Sequence, residues 1–178
     1  MIVIHIDSME DTVALKRVYD GLENVTLLYN ASYDDICEEL ERNEDPVVMC
    51  LGHGSPNGLF GMGFLGFAID GTMTNLLKDR TMIGIWCYAD EFGKANDLHG
   101  FFTSMFISNL GEAMVMGYDF EDITDEDIFH ETDLFCDMVN AFLREGVPMD
   151  QWVGLLQADC HREKGFVKFN YDGLTYLA

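Results

Sequence analysis

The chain has 178 residues, with 10 basic against 32 acidic side chains, a formal charge of −22 and a hydrophobic share of 48%. That length and apolar content exclude a disordered chain and predict one folded domain over residues 1–178. The negative field opposes binding to nucleic acid or to an anionic membrane surface; it suits basic peptides, and it also serves solubility alone.

No apolar stretch approaches the roughly 18 residues of a spanning helix. The chain opens on Ile2-Val3-Ile4 with no basic segment and cleavage site ahead of it, so no signal peptide is expected. The cysteines, Cys37, Cys50, Cys87, Cys136 and Cys160, are odd in number and contain no CxxC. Thiols in a reducing, cytoplasmic compartment fit this better than disulfides or a zinc site, and no metal or other cofactor is expected.

Taken in order, Met1–Asp7 reads as a buried strand. Asp11–Leu22 reads as a helix with Val13, Leu15, Val18 and Leu22 inward. Val25–Tyr29 is a second strand. Ser32 caps a helix over Tyr33–Arg42, and Pro46 opens a third strand, Val47–Leu51. Glycines crowd residues 52–66. Leu59-Phe60 and Phe67–Ile69 form a hairpin closed by an Asp70-Gly71 turn, followed by helical turns over Met73–Lys78.

Met82–Trp86 is a fourth buried strand. Leu98–Ile107 reads as a helix and Ala113–Met116 as a fifth strand. Asp125–Arg144 is a long amphipathic helix ending at Gly146, Met149–Cys160 another helix, and Phe166–Tyr171 alternates like a last strand whose edge leaves self-pairing open. Strands alternating with helices predict an α/β, three-layer sandwich: a mostly parallel sheet with helices on both faces.

Ligands of such sheets bind beyond the carboxyl ends of the strands. Strand 47–51 runs into Gly52-His53-Gly54-Ser55, and strand 82–86 into Cys87-Tyr88-Ala89-Asp90. If the two strands are neighbours, an imidazole and a thiol share one edge. A histidine in reach takes the thiol's proton, and the thiolate is the nucleophile. Gly54 lets backbone approach a substrate, and its N–H with that of Cys87 would hold an oxyanion. On residue types alone, Cys87 also reads as a small buried hydrophobe and His53 as a turn residue.

His-Gly after one strand, a small hairpin, a short helix and Cys after the next strand resemble the caspase-like cysteine peptidases, relatives of gingipain and clostripain, with the nearest likeness to CHAT domains. "VVMCLGHGSPNGLFG" resembles their His-Gly segment, and "FAIDGTMTNLLKDRTMIGIWC" their hairpin, helix and nucleophile strand. "GFFTSMFISNLGEAMVMGY" resembles the helix and strand that follow. "DEDIFHETDLFCDMVNAFLREGVPMDQWVGLLQAD" resembles their later helices. The likeness covers residues 1–160 as architecture; its sharp motifs are the His-Gly and the strand-end Cys.

The resemblance implies a hydrolase, a cysteine endopeptidase acting on protein or peptide. His53 would be the base, Cys87 the nucleophile, and the N–H groups of Gly54 and Cys87 the oxyanion hole. Trp86 and Tyr88 flank Cys87 where relatives carry small residues, so they would line a substrate pocket or block it. Asp90, Glu91, Asp119, Glu121 and Asp122 follow strand ends on the same edge; acidic walls there would favour cutting after Lys or Arg, and they also read as solvated loop. The alternative is a catalytically inactive caspase-like module for binding or regulation.

The remaining candidates have plainer readings. Cys160-His161 lies at a helix end, with His161 and Arg162 suiting the negative terminus. His99 reads as a polar residue at a helix start, His5 as a satisfied core or edge residue, and His130 as part of a polar helix face. Gly61-Met62-Gly63-Phe64-Leu65-Gly66 has a dinucleotide-motif spacing but falls in the hairpin, and no phosphate-loop motif is present. A flavodoxin-like binder of nucleotide or another small molecule shares the early strand-helix-strand pattern.

Overall fold

Ile2, Val3 and Ile4 are all fully buried, but they face two different cores. Val3 packs with Met49, Leu51, Ile83 and Ile85. Ile2 and Ile4 pack with Val48, Cys50 and Met82. A period of two with both sides apolar is what a strand covered on both faces requires. These runs form β1 (Ile2–His5), β2 (Thr26–Tyr29) and β3 (Val47–Leu51). The hairpin strands β4 (Gly54–Ser55), β5 (Gly58–Phe60) and β6 (Phe67–Asp70) follow, then β7 (Thr81–Ile85), β8 (His99–Phe102) and β9 (Thr175–Leu177). The computed structural model describes residues 1–7, 10–119, 123–159 and 165–178; Glu121, Asp122, Cys160, His161 and Arg162 lie outside the described residues.

The main sheet has the order β2-β1-β3-β7-β8-β9. All its pairings are parallel except β8 with β9. One face is covered by α1 (Tyr33–Arg42), α2 (Thr74–Leu77), α3 (Ala89–Ala95) and the hairpin. The other carries a 3-10 helix over Glu10–Val18 with α4 (Leu110–Val115), α5 (Asp125–Glu145), α6 (Trp152–Asp159) and α7 (Gly165–Asp172). The chain is therefore the three-layer α/β sandwich expected from the sequence. Ser32 caps α1 in a full capping box with Asp35, and Thr124 does the same for α5 with Asp127.

Several elements differ from expectation. The segment after β1 buries Thr12, Leu15 and Val18, a spacing of three, while Val13 is exposed. A three-residue repeat aligns on a 3-10 helix, not on an α-helix. Residues 98–107 are not a helix. Phe101 and Phe102 point to opposite cores, and Gly100 sits at φ +135°, where a Cβ would collide with Met82 O and fall 2.8 Å from Met82 C and N. The run is therefore strand β8, and the crossover before it is α3.

Ala113–Met116 is not a strand. Asn109 caps α4 by accepting from Glu112 N at 3.0 Å, and a short apolar run cannot by itself tell strand from helix. Phe166–Tyr171 lies in α7, with Phe166, Val167, Asn170 and Tyr171 buried. That is helical spacing; the antiparallel edge strand is β9, just beyond. Asp70 does not close the hairpin. Its carboxylate accepts from Thr72 N at 2.9 Å and starts the next turn, while residues 61–66 join β5 to β6.

Candidate functional site

Leu51 of β3 pairs in register with Ile85 of β7, and both side chains face the core that holds α5. Two residues further along each strand, alternation returns to the same side. There stand His53 and Cys87, and both line one pocket with Thr12, Leu15, Gly52, Ile85, Trp86, Phe106, Ser108 and Thr132. Gly52 N still donates to Ile85 O at 3.2 Å, so the ladder extends into the residues just before the pair. The pocket's cavity volume is about 30 Å³.

Cys87 is half-buried. Its thiol donates to Phe106 O at 3.6 Å, and its sulfur lies 4.0 Å from Glu112 Oε1. The other oxygen of Glu112 accepts from Ser108 N at 2.8 Å and Ser108 Oγ at 2.9 Å. Glu112 thus clips the loop between β8 and α4 against the sulfur. Asn170 of α7 holds the same loop from behind: its Oδ1 accepts from Ile107 N at 2.7 Å, and its Nδ2 donates to Ile107 O at 3.0 Å.

His53 stands beneath an aromatic cover. The Phe64 ring centroid lies 5.6 Å from the imidazole, with Phe60 edge-on behind it at 5.6 Å. The hairpin fixes the backbone here, since Phe60 N donates to His53 O at 2.9 Å. Gly54 leaves no room for a side chain: a Cβ would lie 2.7 Å from both Trp86 Cγ and Gly58 O.

Trp86 turns to the opposite face from Cys87. It is 2% exposed, packs edge-on to Phe92, and donates from Nε1 to Ser55 O at 3.2 Å. It therefore braces the His53–Ser55 segment and also touches the pocket. Tyr88 adopts a left-handed conformation, φ 67° and ψ 27°, immediately before α3. Such strain in a residue other than glycine persists where surrounding structure enforces it.

Tyr88, Asp90 and Asp119 are not among the pocket's lining residues. Asp90 is buried in α3 and paired with Lys94 at 2.6 Å, and Asp119 is exposed. His99 is in β8, paired in register with Thr81 at the amino end of β7, on the opposite edge of the sheet from Cys87. The expectation of a helix start there is replaced by a strand. His130 is exposed on α5. Cys50 and Cys136 are buried, and burial pushes both thiols far up; Cys37 is half-buried and raised for the same reason. No disulfide joins the four described cysteines. Among the described residues, no group of three His, Cys, Asp or Glu side chains could hold a metal, and no helix is long and apolar enough to cross a membrane.

A second polar group braces the pocket wall. His5 is fully buried at the end of β1, with Nε2 3.1 Å from Thr12 O and Nδ1 3.0 Å from the Tyr19 hydroxyl. A carbonyl only accepts, so Nε2 carries the proton and Tyr19 donates to Nδ1. Burial holds the imidazole below its ordinary pKa, against the pull of Thr12 O and Asp7. Thr12 Oγ1 donates to Asp7 at 3.1 Å, and Tyr29 and Lys16 also reach that carboxylate. These hydrogen bonds and Lys16 hold the Asp7 carboxyl below its usual value, although its own desolvation opposes them.

The sequence did not single out Thr12, Phe106, Ser108, Glu112, Thr132 or Asn170. One signal was present: Asn109 followed three residues later by Glu112 is a helix-start pattern. Reading it would have placed a helix at 110 and a carboxylate in its first turn. In comparisons with protein-family models and with curated proteins, the chain matches none.

Proposed function

We propose that this protein is a cysteine endopeptidase using His53 and Cys87, as its resemblance to caspase-like peptidases implies. The observation that carries the reading is the placement of both side chains in one pocket, at matched positions beyond the carboxyl ends of the adjacent parallel strands β3 and β7. The hairpin and short helix α2 stand between them in the order the resemblance describes.

The chemistry follows from the groups present. Cys87 Sγ attacks the scissile carbonyl carbon while its proton passes to His53. The carbonyl π electrons move to oxygen, towards the N–H groups of Gly54 and Cys87. As the intermediate collapses, the C–N bond breaks and His53 gives the proton to the leaving amine. A thioester remains on Cys87. Water, losing a proton to His53, adds to it; the C–S bond breaks, the acid leaves and the thiol regains its proton.

Peptidyl acyloxymethyl ketones test this directly. Intact mass should show one adduct on Cys87 that disappears in His53→Ala. Equal labelling of both proteins, or none across all side chains preceding the ketone, refutes the reading. A second reading, an inactive binding module, draws on the thiol's contact with Phe106 O and the nearby Glu112 carboxylate, which favour a thiol over a thiolate. It expects Cys87 to react with iodoacetamide at a rate independent of His53.

A further inference from the structure

The pocket beside Cys87 is built from five separate parts of the fold, and its composition constrains what enters. Thr12 and Leu15 come from the 3-10 helix, Gly52 and His53 from the segment after β3, Ile85 from β7, Phe106 and Ser108 from the loop before α4, and Thr132 from α5. No carboxylate and no lysine or arginine is among the lining residues. About 30 Å³ is room for one or two water-sized groups, since a single water needs about 10–15 Å³. Pockets for whole organic ligands run to hundreds of cubic ångströms.

Thr132 supplies a second, independent observation. It is 4% exposed, and its Oγ1 is buried with no hydrogen-bond partner. Buried hydroxyls are nearly always paired, because burying an unpaired one is costly. Thr132 lines the pocket, so rotation about its χ1 brings that hydroxyl to the cavity, where a polar group entering from outside completes it.

We infer that this pocket receives the side chain preceding the scissile bond and selects small, uncharged residues, serine above alanine, with Thr132 Oγ1 bonding the serine hydroxyl. The inference rests on the peptidase reading and replaces a basic preference with a small polar one. Leucine, phenylalanine, lysine and arginine are too large for the cavity, and a cation finds no counter-charge among the lining residues. Serine fits by size and meets the orphaned hydroxyl. Alanine fits by size alone.

The test is a series of peptidyl acyloxymethyl ketones identical except for Ser, Ala, Leu or Lys next to the ketone, with second-order labelling rates read by intact mass. Ser and Ala should label Cys87 at least tenfold faster than Leu and Lys, and Ser several-fold faster than Ala. Thr132→Val should erase the Ser-over-Ala difference, while Thr132→Ser, which retains the hydroxyl, should preserve it. Thermal melts of both variants report whether the fold is intact.

Leu or Lys labelling as fast as Ala, in a reaction that still requires His53, overturns the inference and leaves the peptidase reading standing. A Ser-over-Ala ratio unchanged in folded Thr132→Val overturns the role of Thr132. No labelling by any member, with iodoacetamide reactivity at Cys87 unaffected by His53→Ala, overturns both together.

Discussion

Replacing Gly54 with alanine tests whether Trp86 braces the histidine segment. The added methyl would lie 2.7 Å from Trp86 Cγ and from Gly58 O, and closer still to Trp86 Cδ1. Carbon atoms rest about 3.5–4.0 Å apart, so something must move by roughly an ångström. The indole cannot retreat easily. It is 2% exposed, packs against Phe92, and lies over Gly84, whose own Cβ position is 2.9 Å from Trp86 Cζ3. Gly58 O is hairpin backbone. Overpacking of this kind costs about 1–3 kcal/mol, and with no soft neighbour the upper end is expected. For a chain of this size that is a fall of roughly 6–12 °C in melting temperature.

Gly63→Ala is the control. Gly63 has φ +61° but nothing within 4 Å of its Cβ position, so only the backbone penalty of about 1 kcal/mol applies. Differential scanning calorimetry on Gly54→Ala, Trp86→Leu and the double variant completes a cycle. The double variant should lose at least 1 kcal/mol less than the sum, because leucine vacates the space the methyl needs. Additive losses, or a Gly54→Ala melt no lower than that of Gly63→Ala, would show that Trp86 does not clamp this segment.

Three other outcomes follow from the same geometry. His5 is held neutral by burial below its ordinary value of 6.5. As pH falls below about 6.5 the unfolded chain takes this proton first, so stability drops by at most about 1.4 kcal/mol per pH unit; urea midpoints should fall between pH 6.5 and 5, with a shallower slope in His5→Gln, whereas Asp7, with its lowered carboxyl, acts below about pH 4. Asn170→Ala strips both partners from the buried Ile107 backbone and should cost about 2–4 kcal/mol in chemical denaturation; a loss under 1 kcal/mol would mean the loop does not depend on that clamp. In a Cys160→Ser background, mass-resolved alkylation should modify Cys87 and Cys37 in the native protein and Cys50 and Cys136 only with unfolding, because the last two are sealed in the core; native-state labelling of Cys50 would contradict the packing of β3.

The legible parts of the fold were those where local signals agreed. Ser32 as a cap marked the start of α1, and Pro46 with an unbroken apolar run marked β3. The illegible parts were short and aromatic. Leu98–Phe102 fits either period, and only Gly100, pressed against Met82, decides for a strand. Phe166–Tyr171 alternates on paper, yet its buried set is helical because α7 must present Asn170 to Ile107.

At the site, the positions of His53 and Cys87 were readable because strand ends are readable. Trp86 was expected to line or block the substrate pocket; strand alternation turns its ring to the opposite face, where Gly54 and Gly84 leave it space. Thr12, Ser108 and Thr132 were invisible. Short polar side chains that converge from distant segments carry no period, and only tertiary structure makes them a wall.

The clamp between Asn170 and Ile107 has a consequence for the order of events during synthesis. His53 and Cys87 belong to the first half of the chain, and β1, β2, β3 and β7 can pair as soon as residues up to Ile85 are free. The loop that meets the thiol is secured only when α7 arrives, and β8 gains its outer neighbour only with β9. A partly made chain would thus hold an imidazole and a thiol side by side with no roof over them. Synthesis proceeds at roughly 5–20 residues per second, so for some seconds the sulfur is open to oxidants and to any passing electrophile, until α7 secures the loop that covers it.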